Sequence, residues 1–256
     1  MIRFTQIASF ALSLLVALAL IGLWHFVASA RLVPPIFLPL PEKTFDALVT
    51  GMQNGVLLDA SLATLRRMFF GWFLACLAGI SLGALVGSSQ KLRIYVAPML
   101  ETLRPLPASS LIPLFIAVIG LSEGMILGVI AFGALWPLLL ATTHGIVSVE
   151  PLLIEVAQAL AMPKHKVLWK ISLPSAMPDI LAAMRLSLTV SLILAVVCEM
   201  LTGSEGLGQW LLATSRAFAS TKMFAGIVVL GLMGYASSLI MNLVEARALK
   251  WKSAAN

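Results

Sequence analysis

Glu199 lies near the end of a long apolar run, where an ionisable side chain is by default a candidate functional residue. Its carboxylate has three uses there: to sit solvated at an interface, to pack in a gate, or to carry a proton. Proton-coupled transport needs several such groups, and buried carboxylates are few in this chain. The three histidines, His25, His144 and His165, lack the spacing of metal ligands. Cys76 and Cys198 both sit inside apolar runs and read as small core residues, not as a disulfide or a metal pair. No Gly-Lys dipeptide occurs, so the phosphate-cradling loop G-x-x-x-x-G-K-[ST] is missing and the chain should not hydrolyse ATP by itself. There is no H-E-x-x-H for an intramembrane metalloprotease. The chain reads as a non-enzyme, with no catalytic residue, cofactor or metal ligand expected.

The elements that would position these residues follow from composition. Of the 256 residues 60% are hydrophobic and 11% charged, and the mean hydropathy is +1.02. An ordinary soluble domain carries roughly 25% charged residues, and a soluble globule of this size needs more polar surface. A disordered chain, a disulfide-stapled secreted module and an ordinary cytosolic enzyme are excluded. What remains is an all-α membrane protein crossing the bilayer six or seven times, at about 20 residues per crossing. The net charge of +6 fits Lys- and Arg-rich cytoplasmic loops better than nucleic-acid binding.

Apolar runs place six crossings. The first is Ile7–Ala30, too long for a signal core; Arg31 and Pro34-Pro35 end it. A proline-rich connector follows, with a short amphipathic helix near Glu42–Met52. Asp59 and Ser61 offer N-cap oxygens for a second crossing through Met68 to Val86. There Gly71, Ala75, Gly79, Gly83 and Gly87 fall four apart, a stripe of small residues that lets another helix approach closely. Pro105, Pro107 and Pro113 make the third crossing, Ala108–Ile119, irregular. Irregular backbone at membrane depth survives only beside protein or a water-filled cavity, so Pro107 and Pro113 are candidates for a pathway. After a turn at Gly120–Gly124 come Met125–Thr143, a polar stretch at 145–179, Ile180–Leu201 (interrupted by Arg185), a loop at 202–222, and Met223–Val244. With a cytoplasmic N-terminus, ten Lys and Arg fall on inside segments, Arg104 and Lys252 among them. Four fall outside, and Arg66, Arg67 and Arg185 lie within helices. That bias puts both termini and the 145–179 segment in the cytoplasm.

The 145–179 segment is too long for a mere connector. Ser148, Glu150 and Pro151 suit the start of a short helix. Pro163 breaks it and opens a second, at about 163–172, which Leu173-Pro174 terminates. Two short amphipathic helices with a bend between them make a knob that needs a socket on a partner.

Glu155-x-Ala157, Ala161, and Ile171-x-Leu173-Pro174 resemble the EAA motif of ABC-importer permeases, E-A-A-x-x-x-G, nine residues, then I-x-L-P, with no gap in the spacing. Val156 replaces the motif's first following alanine and Ala161 its glycine. Because alanine resists a left-handed turn, the bend is expected to be helical or shifted towards Pro163. Leu103-Arg104-Pro105-Leu106-Pro107 and the stretch Glu199-Met200 to Gly206-Leu207-Gly208 are similar to the L-R-P-x-P and E-M-x-x-x-x-x-G-L-G patterns of the nitrate/sulfonate/taurine subgroup.

The resemblance implies a type I importer permease fold in the cytoplasmic (inner) membrane. Residues 1–60 would form the first crossing and connector, 61–245 the permease core and 246–256 a cytoplasmic tail. It implies two ATPase subunits, a second permease copy in a homodimer, an extracytoplasmic solute-binding protein and surrounding lipid as partners. Glu155, Ala157, Ala161, Met162, Pro163 and Lys164 would belong to the helix that couples to the ATPase, anchored by Ile171, Leu173 and Pro174. Pro107, Pro113, Glu199 and Met200 would line or gate the pathway. The solute would be nitrate, a sulfonate, taurine, a thiamine-precursor pyrimidine or another small compound. An ion-coupled secondary carrier is the alternative class; it would need midplane carboxylates and repeated halves, neither of which is evident. The crossings show no cluster of charges for solute selection, which points to the binding protein as the main source of specificity.

Overall fold

The computed structural model describes residues 2–250, and within them every regular element is a helix. Lys252 of the charged tail lies outside the described residues. In chain order the helices are α1 (Ile2–Ser29), α2 (Pro41–Gln53), α3 (Val56–Ser88), α4 (Gln90–Leu103), α5 (Ile112–Ile119), α6 (Glu123–Val147), α7 (Pro151–Ala159), α8 (Lys164–Val167), α9 (Leu173–Thr202), α10 (Leu207–Arg216) and α11 (Ser220–Ala248). Four stretches are long and apolar enough to cross a membrane: α3, α6, Lys164–Thr202 and α11.

The centre is a three-helix packing of α3, α6 and α9. The small-residue stripe of α3 makes it possible. A Cβ on Gly79 would lie 2.8 Å from the Leu135 carbonyl oxygen of α6, and one on Gly83 would lie 2.7 Å from that of Leu139. Backbone therefore meets backbone, and α3 runs parallel to α6, with Gly71 beside Ile130 and Gly87 beside Ile146. Helix α9 runs antiparallel to both: Ser187 donates to the Ala134 carbonyl at 2.7 Å, and the Trp72 indole donates to the Met184 carbonyl at 3.0 Å. Gly79-Ile80-Ser81-Leu82-Gly83 has the G-x-S-x-G spacing of a hydrolase nucleophile elbow. It lies inside the uninterrupted α3 and not at the strand-to-helix turn that such chemistry needs; both glycines serve packing.

Several boundaries differ from expectation. Helix α3 starts at Val56, not at Asp59 or Ser61. Gly55 takes the left-handed N-cap conformation (φ +81), and the Asn54 side chain accepts from the Val56 N–H at 3.2 Å. The segment expected as a third crossing is not one irregular helix. Helix α4 and the segment Ala108–Ile119, a 3₁₀ turn followed by α5, are two arms bent 82° apart. Arg104 is still helical (φ −55, ψ −45), but Pro105 and Pro107 have no N–H to carry the ladder on, and α4 ends at Leu103. At about 1.5 Å per residue, twelve residues after the bend reach only ~18 Å. The loop at 202–222 contains α10, which the Gly and Ser residues of the sequence concealed. Cys76 and Cys198 are buried free thiols, as expected.

Candidate functional site

The hairpin Pro151–Val167 is built by its prolines and one strained alanine. Helix α7 is N-capped by Glu150; Ser148 instead closes α6, its N–H bonding to the His144 carbonyl at 2.9 Å. At the other end of α7, Ala161 adopts φ +51. The Ala161 N–H donates to the Gln158 carbonyl and the Met162 N–H to the Ala157 carbonyl, each at 2.9 Å. This pair of bonds is the Schellman closure, with Ala161 in the position that favours glycine. The expected helical or displaced bend is therefore corrected: the turn is left-handed and lies at Ala161 itself. Two satisfied carbonyls outweigh the roughly 1–2 kcal/mol that a left-handed alanine costs.

Pro163 prevents α7 from resuming and caps α8. The predicted stop at Leu173-Pro174 is also corrected. Pro174 has no N–H to give, and a π-helical turn at Leu168–Ser172 absorbs the defect. The helical rod then continues without a break from Lys164 to Thr202, 39 residues.

The hairpin brings Glu155, Ala157, Ala161, Met162, Pro163 and Lys164 together. Ala157 is buried, Met162 half-buried, and Glu155, Ala161, Pro163 and Lys164 exposed; Ile171, Leu173 and Pro174 follow half-buried at the root of the rod. Beneath the hairpin is a cleft of about 590 Å³ whose lining includes Gly87, Ile146, Gln158, Met162, Lys164 and His165.

At the opposite end of the bundle the structure reveals a charge cluster that sequence reasoning missed. Glu199 is fully buried, 0% exposed, and is neither solvated nor alone. Its carboxylate accepts from Arg67 Nη1 at 3.0 Å, from the Thr64 hydroxyl at 2.9 Å and from the Gly208 N–H at 2.9 Å. Thr64 in turn accepts from the Leu207 N–H at 2.9 Å. Arg67 also holds Glu123 at the start of α6, through Nε at 3.0 Å and through Nη2, and donates to the Glu205 carbonyl. One guanidinium thus ties α3, α6, α9 and the segment leading into α10. The glycines of the Gly206-Leu207-Gly208 stretch are explained here. A Cβ on Gly206 would lie 2.2 Å from the Glu199 carboxyl carbon, and one on Gly208 would lie 2.2 Å from the Val196 carbonyl oxygen. Met200 is half-buried beside this cluster, whereas Pro107 and Pro113 are exposed in the bent pair and are not among the partners of Glu199. Arg185, expected only to interrupt a crossing, pairs with Glu245 of α11.

Between the two ends, a second cavity of about 360 Å³ lies where the α4–α5 bend meets α6 and α9. Arg104, Ala108, Gly133, Trp136, Val190 and Leu194 are among its walls.

Residues 75–250 match the family described as binding-protein-dependent transport system inner membrane component. Over 244 residues the chain is 32% identical to a Bacillus subtilis protein named as an aliphatic sulfonates transport permease, SsuC, covering 94% of this chain and 87% of that one. It is 29% identical to the taurine transport system permease protein TauC of Escherichia coli, covering 91% and 86%. It is 24% identical to the nitrate import permease protein NrtB of Leptolyngbya laminosa, covering 90% and 84%. Among solved structures, an inward-facing form of the MetNI methionine ABC transporter superposes with a TM-score of 0.68 at 19% identity, over 75% of this chain and 96% of that one.

Proposed function

The chain belongs to the family of binding-protein-dependent transport system inner membrane components, and from that premise we propose that it is the membrane permease of an ATP-driven importer for a small oxyanion-bearing solute. The permease class follows from the family. The solute class is read from the relatives named for aliphatic sulfonates, taurine and nitrate, whose common chemistry is a compact oxyanion. Six crossings are read as α1, α3, the bent α4–α5 pair, α6, α9 and α11. The Lys and Arg bias then sets both termini and the hairpin in the cytoplasm of an inner-membrane protein.

The observation that carries this reading is the hairpin and its attachment. A knob with exposed Glu155 and Lys164, turned at Ala161, is fused to a rod that carries the buried Glu199 in its last turn. From Leu173 to Glu199 the rod spans about 39 Å. A partner that grips the knob in one conformation of the permease and not in another shifts the balance between inward- and outward-facing states, and a continuous helix transmits that shift across the bilayer. Two ATPase subunits are the gripping partner, each engaging the hairpin of one copy in a permease homodimer, and an extracytoplasmic binding protein delivers the solute.

The test is reconstitution into vesicles. Uptake should require the ATPase subunits and ATP. Glu155→Lys should abolish most uptake while the protein still inserts and purifies as a folded species. Uptake by the permease alone, or a normal rate in the Glu155→Lys variant with the ATPase still required, would contradict the assignment.

A further inference from the structure

The cavity at the α4–α5 bend lies along the middle of α6, one of the crossings proposed above, and so at mid-depth on that reading. Gly133 is ten residues along α6 from Glu123, or about 15 Å down a helix some 37 Å long. A Cβ on Gly133 would lie 2.3 Å from the Leu194 side chain and 2.8 Å from that of Ala108, so the walls close together there. The lining has a marked chemical bias. Its only polar side chains are Arg104 and Trp136, both hydrogen-bond donors, and every other lining residue is apolar. Arg104 has an exposed side chain and no ion-pair partner among the described residues. The Trp136 indole N–H is buried and likewise without a partner among them. The charge count places Arg104 among the ten inside cations; without it the bias is nine against four and the orientation stands. Its place at the C-terminus of α4, inside the bend and across from α6 and α9, is not that of an anchor. A cation at this depth persists only where water, a counter-ion or a ligand compensates it.

We propose that Arg104 selects the transported solute: its guanidinium, beside the mid-depth cavity between the α4–α5 bend, α6 and α9, binds the oxyanion head of a small organic anion in transit. The guanidinium fork presents parallel N–H donors that match carboxylate, sulfonate or nitrate oxygens. The volume of about 360 Å³ lies near the lower end of small-molecule sites. The apolar walls formed by Val190 and Leu194 accept a short hydrocarbon body and offer no second charge, so release is not impeded. This inference rests on the importer reading above and adds the residue that discriminates.

The test uses the permease assembled with its ATPase and binding-protein partners in vesicles. In a Val190→Cys background, labelling is timed with two methanethiosulfonate reagents, one bearing a sulfonate and one a trimethylammonium group. Cys76 and Cys198 are buried and form the unlabelled background. The anionic-to-cationic rate ratio should fall about tenfold when Arg104→Gln is added and should be kept by Arg104→Lys. Ethanesulfonate should slow labelling only where the cation is present. A ratio unmoved by Arg104→Gln overturns the proposal. In the same vesicles Arg104→Gln should cut ethanesulfonate uptake at least tenfold while ATP hydrolysis still responds to the binding protein. ATP-driven uptake of neutral or cationic solutes with no oxyanion carried would sink the Arg104 assignment and leave the importer intact. No ATP-driven uptake of any solute would sink the importer reading itself.

Discussion

Replacing Arg67 with methionine keeps the length of the side chain and removes its charge. The guanidinium is nearly buried and is the only cation bonded to Glu199 among the described residues, and Glu199 is fully buried. The change strands a carboxylate that keeps only the Thr64 hydroxyl and the Gly208 N–H as donors. Breaking a buried pair from one side costs about 3–5 kcal/mol, whereas Glu123, whose side chain is 57% exposed, recovers solvent. For a chain of this size each kcal/mol moves the melting midpoint by about 2–4 °C, so Arg67→Met should lower the apparent Tm in detergent by roughly 6–20 °C. Glu199→Gln alone leaves Arg67 paired with Glu123 and should cost about 1 kcal/mol. The double variant no longer buries an unpaired charge. It should recover most of the loss, giving a coupling energy of about 2 kcal/mol or more in the cycle. Thermal unfolding monitored by tryptophan fluorescence on all four proteins measures this. A drop below 3 °C for Arg67→Met, or a double variant no better than Arg67→Met, would show that the cluster is not a coupled buried unit.

Two further outcomes follow from backbone geometry. Ala161→Gly relieves a left-handed alanine at φ +51 and should stabilise the protein by about 0.5–1 kcal/mol; a lowered melting midpoint would mean the turn is not the Schellman closure described. Gly83→Val places a Cβ 2.7 Å from the Leu139 carbonyl oxygen, and backbone cannot yield as a side chain can. It should cost about 1–3 kcal/mol, while Gly22→Ala, with nothing within 4 Å, should be near neutral in the same thermal assay.

The four long apolar stretches, α3, α6, Lys164–Thr202 and α11, were legible because an apolar run of about 20 residues has few other uses, and the small-residue stripe because its period of four marks one helical face. Prolines 151 and 163 likewise punctuate the hairpin. Three features escaped for physical reasons. The Arg67–Glu199 bond joins residues 132 apart, and each looks like an isolated charge when only local pattern is read. Helix α10 hides behind Gly203 and Gly206, whose turn chemistry resembles a loop. Positive φ at Arg31, Ala161 and Phe218 could not be read from residue type, since in each case the closing hydrogen bonds override the preference for glycine. Arg104 was visible but counted as an inside cation; only the cavity it shares with α6 and α9 shows which helices it meets.

The central claim is that the ATPase grips the hairpin and nothing at the other end of the bundle. A photo-cross-linking residue at Leu160, 67% exposed at the hairpin tip, measures this against the same residue at Gln209, exposed on α10. The account predicts an adduct with the ATPase subunit from position 160 and none from 209. Capture of the ATPase from 209, or its absence from 160 in a complex that transports, would contradict it.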